Sequence, residues 1–293
     1  MVKKTIIFFY MIYFATHTLY ASCFVQVPQC PIENNSLQVG AELPLPKWTD
    51  KEHESSFEWL QKIVSFWKDR IADDYLVYGK HTKESSSFHW EIIPHYRASL
   101  FGDFGQQLSV LWNISFGSGS LPYEVMEEKA KVIDRLFEQT VCHSEDLPHR
   151  GEDPFCKEEV IEKQWVLKGN KSTVLFNYAP IGFGGERLHF LIISKEHKQK
   201  FEDLSSQEYL EISQFASRLI QKYSDKDAYL FHKTGRAAGQ TVPHFHMHLV
   251  FTSNRVQDVF GKLTVFKKML LGSSPMSDGE LRTRVEELRI ELR

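Results

Sequence analysis

The sequence predicts an α+β protein, with a C-terminal antiparallel sheet of about five strands packed on helices and a smaller α+β region before it. Three observations carry this expectation. Period-two alternation recurs at Phe88, Trp90 and Ile92 and again from His244 to Phe251, as in half-buried strands. Two capping boxes, Thr49 with Glu52 and Ser205 with Glu208, each open a stretch with apolar residues at helical spacing. The chain has 293 residues, 42% hydrophobic and 25% charged, which is globular composition and enough for one large or two modest domains. A net charge of −3 argues against binding nucleic acid through bulk positive charge, and four cysteines are too few for a disulfide scaffold.

Taken in order, residues 1–22 read as an address. Lys3 and Lys4 precede the apolar run Thr5 to Tyr20, which ends in Ala21-Ser22-Cys23, the layout of a secretory signal peptide. An uncleaved membrane anchor and lipidation at Cys23 are the alternatives. All three place the remainder on the exported side. Residues 23–47 read as a linker, rich in proline and polar residues. The region 48–140 opens with a helix carrying Phe57, Leu60, Val64, Trp67 and Ile71 on one face. Strands follow at 88–92 and at Val110, Trp112, Ile114 and Phe116. After the Gly117–Ser120 loop comes a helix with Met126, Ala130, Ile133 and Phe137 on one stripe. His89 and His95 read as packed or exposed histidines, and no internal repeat is visible. A boundary falls within 143–154. Cys142 and Cys156 are either a loop-closing disulfide or free thiols.

The unit 155–293 has strands at 165–167, 173–177, 188–193, 228–232 and 244–251, a glycine-rich loop at 180–185, a helix after Ser205 and a terminal helix from Asp278. Its chemistry concentrates in His244-Phe245-His246-Met247-His248-Leu249-Val250. In a strand the three imidazoles share one face and the apolar residues the other. A His-cluster metal-binding protein is one reading of that face. No nearby run of Asp, Glu or Cys supplies further ligands, so no metal and no cofactor is assigned.

The segment resembles the histidine triad (HIT) family signature, His-φ-His-φ-His-φ-φ with φ apolar. Gly239-Gln240-Thr241-Val242 is similar to the family's Gly-Gln-Ser/Thr-Val element. Leu188 to His197 resembles its histidine-bearing strand with a closing Lys-x-His. The resemblance covers about 155–255 and implies a nucleotide phosphohydrolase or nucleotidyl transferase cleaving a P–O–P or P–N bond. It implies His246 as nucleophile, with His244 fixing its tautomer and His248 stabilising phosphoryl charge. Gln240 and Thr241 would contact the bridging atom or leaving group, and His189 would support His244 or line the pocket. Two positions depart from the pattern. Asn177 stands where many members carry a ribose-binding acid, and Lys233 where many carry asparagine. A slow or non-catalytic nucleotide-binding module is the alternative. The expected partner is a nucleotide-type small molecule, with attachment to a membrane through the N-terminus and a homodimer as further options.

Overall fold

The computed structural model describes residues 23–68, 70–138, 140–141, 153–181, 187–252 and 273–293. The leader, Cys142 and most of the glycine-rich loop lie outside them. Nine strands form a single sheet: β1 Phe24–Gln26, β2 Leu37–Ala41, β3 Asp74–His81, β4 Phe88–His95, β5 Trp165–Lys168, β6 Ser172–Phe176, β7 His189–Ser194, β8 Asp227–Thr234 and β9 His246–Thr252. Their order is β1-β2-β4-β3-β8-β9-β7-β6-β5, and every pair is antiparallel. The five strands β5 to β9 are the expected sheet, and it continues through β3 into the N-terminal residues. Among the described residues, no helix is long and apolar enough to cross a membrane.

One face of the sheet carries the main core. Helices α1 (Asp50–Trp67) and α5 (Ser206–Lys222) pack side by side on it and bury Phe57, Leu60 and Ile63 with Ile212, Ala216 and Leu219. Both helices start as the sequence dictates. The Glu52 carboxylate accepts from Thr49 N at 2.8 Å, and the Glu208 carboxylate from Ser205 N at 2.8 Å. Helix α3 (Tyr123–Phe137) and the terminal α6 (Asp278–Glu291) add Ile133, Leu136, Leu281, Val285 and Leu288 to the same core.

Two expectations are corrected. Residues 23–47, expected to be a linker, supply β1 and β2, whose Val25, Leu37 and Val39 are buried in the main core. Prolines flank these strands without interrupting them. Residues 110–116 are not a strand but the end of helix α2 (Leu100–Phe116), capped by Ser99, which accepts from Gly102 N. Val110 and Ile114, four residues apart, face the sheet, while Trp112 and Phe116 stack outside with ring centroids 4.4 Å apart. Apolar residues on both sides of a helix mimic strand alternation when only the even positions are counted. Helix α4 (Glu158–Gln164) packs against α6.

The register also contains a repeat invisible in the residues. Strands β3 and β8 are each eight residues long and begin at an aspartate. Tyr75 pairs with Thr234 and His81 with Ala228, so each residue faces its own counterpart's opposite end. This is a local twofold relation centred on the Tyr78–Phe231 pair. It extends outward. Glu91 pairs with Tyr78 as His248 pairs with Phe231, and a 3-10 turn plus a capping box precedes both α1 and α5. The edge of β8, through which a second copy could pair, is therefore covered by β3 of the same chain.

Candidate functional site

The histidines lie on the second face of the sheet. His246 and His248 project from β9, Phe231 and Lys233 from β8, and His189 from β7; His246 and His189 are buried and His248 half-buried. The period of two that places them there sends Phe245, Met247, Leu249 and Phe251 into the main core. His244 precedes β9 and is wholly buried.

Backbone partners settle the protons, because a carbonyl only accepts and an N–H only donates. His246 Nδ1 lies 2.7 Å from the His244 carbonyl, so Nδ1 carries the proton and Nε2 keeps a free lone pair. Burial brings His246 down to about 4, against the His244 carbonyl contact, so the ring is neutral at neutral pH. His189 Nδ1 accepts from Ile181 N at 3.1 Å and lies 3.1 Å from the Asn177 amide. Its proton is therefore on Nε2, which donates to His248 Nδ1 at 2.9 Å. That leaves His248 with its proton on Nε2, a fixed donor beside the nucleophile. Burial lowers His189 to about 3 and His248 well below the usual histidine range, so both are neutral. Phe231 stacks on the His248 ring at 4.4 Å and 10° and holds its plane.

His232, not singled out in the sequence, supports the triad from the core side. Its Nδ1 donates to the His246 carbonyl at 2.9 Å, and its Nε2 faces Thr234 Oγ1 at 3.0 Å. Its position directly before Lys233 carries no signal a single sequence would reveal.

Other expected residues have different work. Gln240 spends both ends of its amide on backbone: Oε1 accepts from Gly235 N at 2.8 Å and Nε2 donates to the Gln199 carbonyl at 3.0 Å. It holds the loop before His244 rather than reaching for a leaving group. Asn177 braces His189. Thr241 is exposed at the loop surface. Gly235 has φ of 83°, and a Cβ there would fall 2.2 Å from the Asp74 carboxylate, so only glycine fits this turn.

Behind the triad the fold assembles a cluster that the sequence reading did not. Asp153, Cys156, His197 and His244 each offer one ligand atom, all within 4.8 Å of one another. Asp153 Oδ2 lies 2.7 Å from His244 Nδ1, 2.9 Å from His197 Nδ1 and 3.2 Å from Cys156 Sγ. His244 Nε2 donates to the Ser194 carbonyl at 2.8 Å, which turns Nδ1 toward the other three. Despite its burial, Asp153 is held well below the usual carboxylate range by His244, and burial beside that carboxylate pushes the Cys156 thiol up to about 12. Cys156 is a free thiol. A cavity of about 300 Å³, lined in part by Phe155, Cys156, Ile193 and Lys195, opens next to it. Mixed N, S and O donors converging from four residues fit a tetrahedral divalent cation such as zinc. Asp153 and Cys156 are about ninety residues from His244 in sequence, which is why spacing did not join them.

The described residues form a nine-stranded sheet whose C-terminal half presents the three histidines and whose N-terminal half repeats the strand arrangement around a local twofold. Residues 158–254 match the HIT domain family, and the chain carries a HIT domain there. No curated protein matches the chain. Among solved structures, a GalT-like protein from Arabidopsis thaliana is similar at 13% identity and a TM-score of 0.55, over 91% of this chain and 84% of that one. An ADP-glucose phosphorylase from Arabidopsis thaliana, with bound ADP-glucose, is similar at 12% identity and a TM-score of 0.51, over 93% and 80%. At these identities the likeness is one of fold, and it spans the N-terminal half as well as the HIT domain.

Proposed function

We propose that the chain is an enzyme that transfers nucleotidyl groups through His246, delivering them to water or to a second phosphate. The observation that carries this reading is the His246 Nδ1 contact with the His244 carbonyl, which leaves Nε2 as a neutral nucleophile. Nε2 forms a bond to the α-phosphorus of a nucleotide derivative. The bond from that phosphorus to the bridging oxygen or nitrogen breaks, and its electron pair leaves with the departing group. Nδ1 retains its proton, and the His244 carbonyl stabilises the positive charge on the ring. His248 donates from Nε2 to the phosphoryl oxygens as charge builds there. The acceptor then attacks the same phosphorus, the P–N bond breaks and the lone pair returns to His246. When the acceptor is water, its proton passes to solvent.

Asp153, Cys156, His197 and His244 would hold a divalent cation, whose chemistry is to fix the ring of His244 and so the carbonyl that orients His246. The protein would accept substrates with P–O–P or P–N linkages at the α-phosphorus. The test is to incubate the full chain with nucleotides labelled at the α-phosphate and locate the label by mass spectrometry. A nucleotidylated His246, absent in His246→Ala, is the expected result. Nucleotide binding without label or turnover across the panel would replace this reading with that of a binding module.

A further inference from the structure

Among the described residues, Lys233 has no acidic partner, although it is half-buried in the strand that borders the site. In the register it faces Leu76 of β3. Continuing the β8–β9 register two residues beyond Phe231–His248 sets it beside His246. Its charge is near enough to hold down the basicity of His95, His246 and His248. Burial lowers its own pKa, and no acidic neighbour raises it. The carboxylate on the same face, Asp74, is already committed. Its Oδ1 accepts from Arg97 Nε at 3.1 Å and Nη2 at 2.8 Å, and its Oδ2 accepts from Ala237 N at 2.8 Å.

A half-buried ammonium with no carboxylate beside it is costly to hold, and an anionic ligand offsets that cost. The α-phosphate already has two neutral histidines facing it. A departing amine needs a proton, which an ammonium can supply, but it builds no negative charge for a fixed cation to stabilise. A departing phosphate gains a full negative charge on the bridging oxygen as the bond breaks, and a lysine beside it stabilises that charge as it forms.

We propose that Lys233 selects substrates in which the group leaving the α-phosphorus is itself a phosphate or a phosphorylated molecule. The inference rests on the nucleotidyl-transfer reading of His246 and narrows it to pyrophosphate-linked substrates. Lys233 holds the departing phosphate while His248 holds the α-phosphoryl oxygens. The neighbouring half of the chain contributes Leu76 and His95 to the same wall, so the departing group lies over the junction of β8 with β3.

Two measurements on the full chain test this with Lys233→Met, Lys233→Gln and Lys233→Arg. In the first, inorganic pyrophosphate is titrated calorimetrically. Losing the ammonium weakens binding by about 10-fold or more, and arginine restores it to within about 3-fold. In the second, kcat/KM is measured for a dinucleoside polyphosphate and for a nucleoside phosphoramidate. Lys233→Met shifts the ratio of the two by about 100-fold toward the phosphoramidate. Circular dichroism and thermal melting of each variant verify that it folds, and the glutamine variant serves if methionine does not. Unchanged pyrophosphate binding, or equal losses on both substrates, overturns the proposal. Lysine-dependent pyrophosphate binding in a protein that never labels His246 would sink the nucleotidyl-transfer reading and leave the phosphate site standing.

Discussion

Replacing His189 by alanine tests the proton relay that gives His248 its role. The native chain of donors runs from Ile181 N to His189 Nδ1 at 3.1 Å and from His189 Nε2 to His248 Nδ1 at 2.9 Å. Alanine leaves three groups without this partner, the Asn177 amide and the part-buried Ile181 N–H and His248 Nδ1, at about 1 kcal/mol each, so folding stability should fall by about 3 kcal/mol. The effect on rate is separable. Without the relay His248 samples both tautomers and turns more freely, and only part of the population presents Nε2–H to the phosphoryl oxygens. Complete loss of one such donor lowers kcat about 10²–10³-fold, so partial loss should lower it about 10–100-fold. His189→Gln, whose amide both accepts and donates, should recover most of both effects. The assay is single-turnover formation of nucleotidyl-His246, corrected for folded fraction. Nitrogen-15 chemical shifts of His248 provide a second readout and should move from a single tautomer to a mixture. A His189→Ala protein that labels His246 within about 3-fold of the native rate, with His248 still one tautomer, would refute the relay.

Three further outcomes are expected. Gly235→Ala forces a positive φ on alanine and drives its Cβ into the Asp74 carboxylate, so urea unfolding should show a loss of about 2–4 kcal/mol. His53 is buried against Trp48, and burial lowers its pKa to about 4; the unfolded value is near 6.5, so the unfolded chain binds the extra proton between these values. Stability should therefore be flat with respect to this group above pH 6.5 and fall by up to about 3 kcal/mol as the pH drops toward 4, and His53→Gln should flatten that part of the profile. Zinc should bind the full chain one-to-one and raise its melting temperature, while Cys156→Ala should lose most of the rise; equal shifts in both proteins would mean that the Asp153 cluster is not the site.

What the residues disclosed follows from how local each signal was. Capping boxes and an alternating strand are written within a few positions, and α1, α5 and β9 form where Thr49, Ser205 and the three histidines place them. Long-range juxtaposition is written nowhere locally. Asp153 reaches His244 because the 3-10 turn at Pro154–Cys156 lies against the end of β7, and that depends on how β5, β6 and β7 stack. Gln240 was misread for the same reason. The motif was visible, but the Gln199 carbonyl that takes its amide comes from another loop. In α2 the failure was one of period. Val110 and Ile114 lie one helical turn apart, and the sheet below them selects that face, whereas Trp112 and Phe116 turn outward.

The twofold relation across β3 and β8 matches each position of the triad half to one in the N-terminal half. At the positions matching His248, His246 and His189, the N-terminal half carries Glu91, His89 and Ser36. Glu91 is buried, and burial raises its pKa even though Ile32 N donates to it at 2.7 Å and Ser36 and Gln38 also reach it. Where the triad half has a hydrogen-bond relay to a histidine, this half has donors converging on a carboxylate, whose charged form repels a phosphate. Val110 of α2, together with Ile32, Leu76, Tyr78 and Ile93, packs beside that position with Phe231 and Val250 of the HIT half. The N-terminal half thus packs its matching position with side chains. It also closes the β8 edge and sets Leu76 and His95 beside Lys233, so that the triad site is walled from both halves.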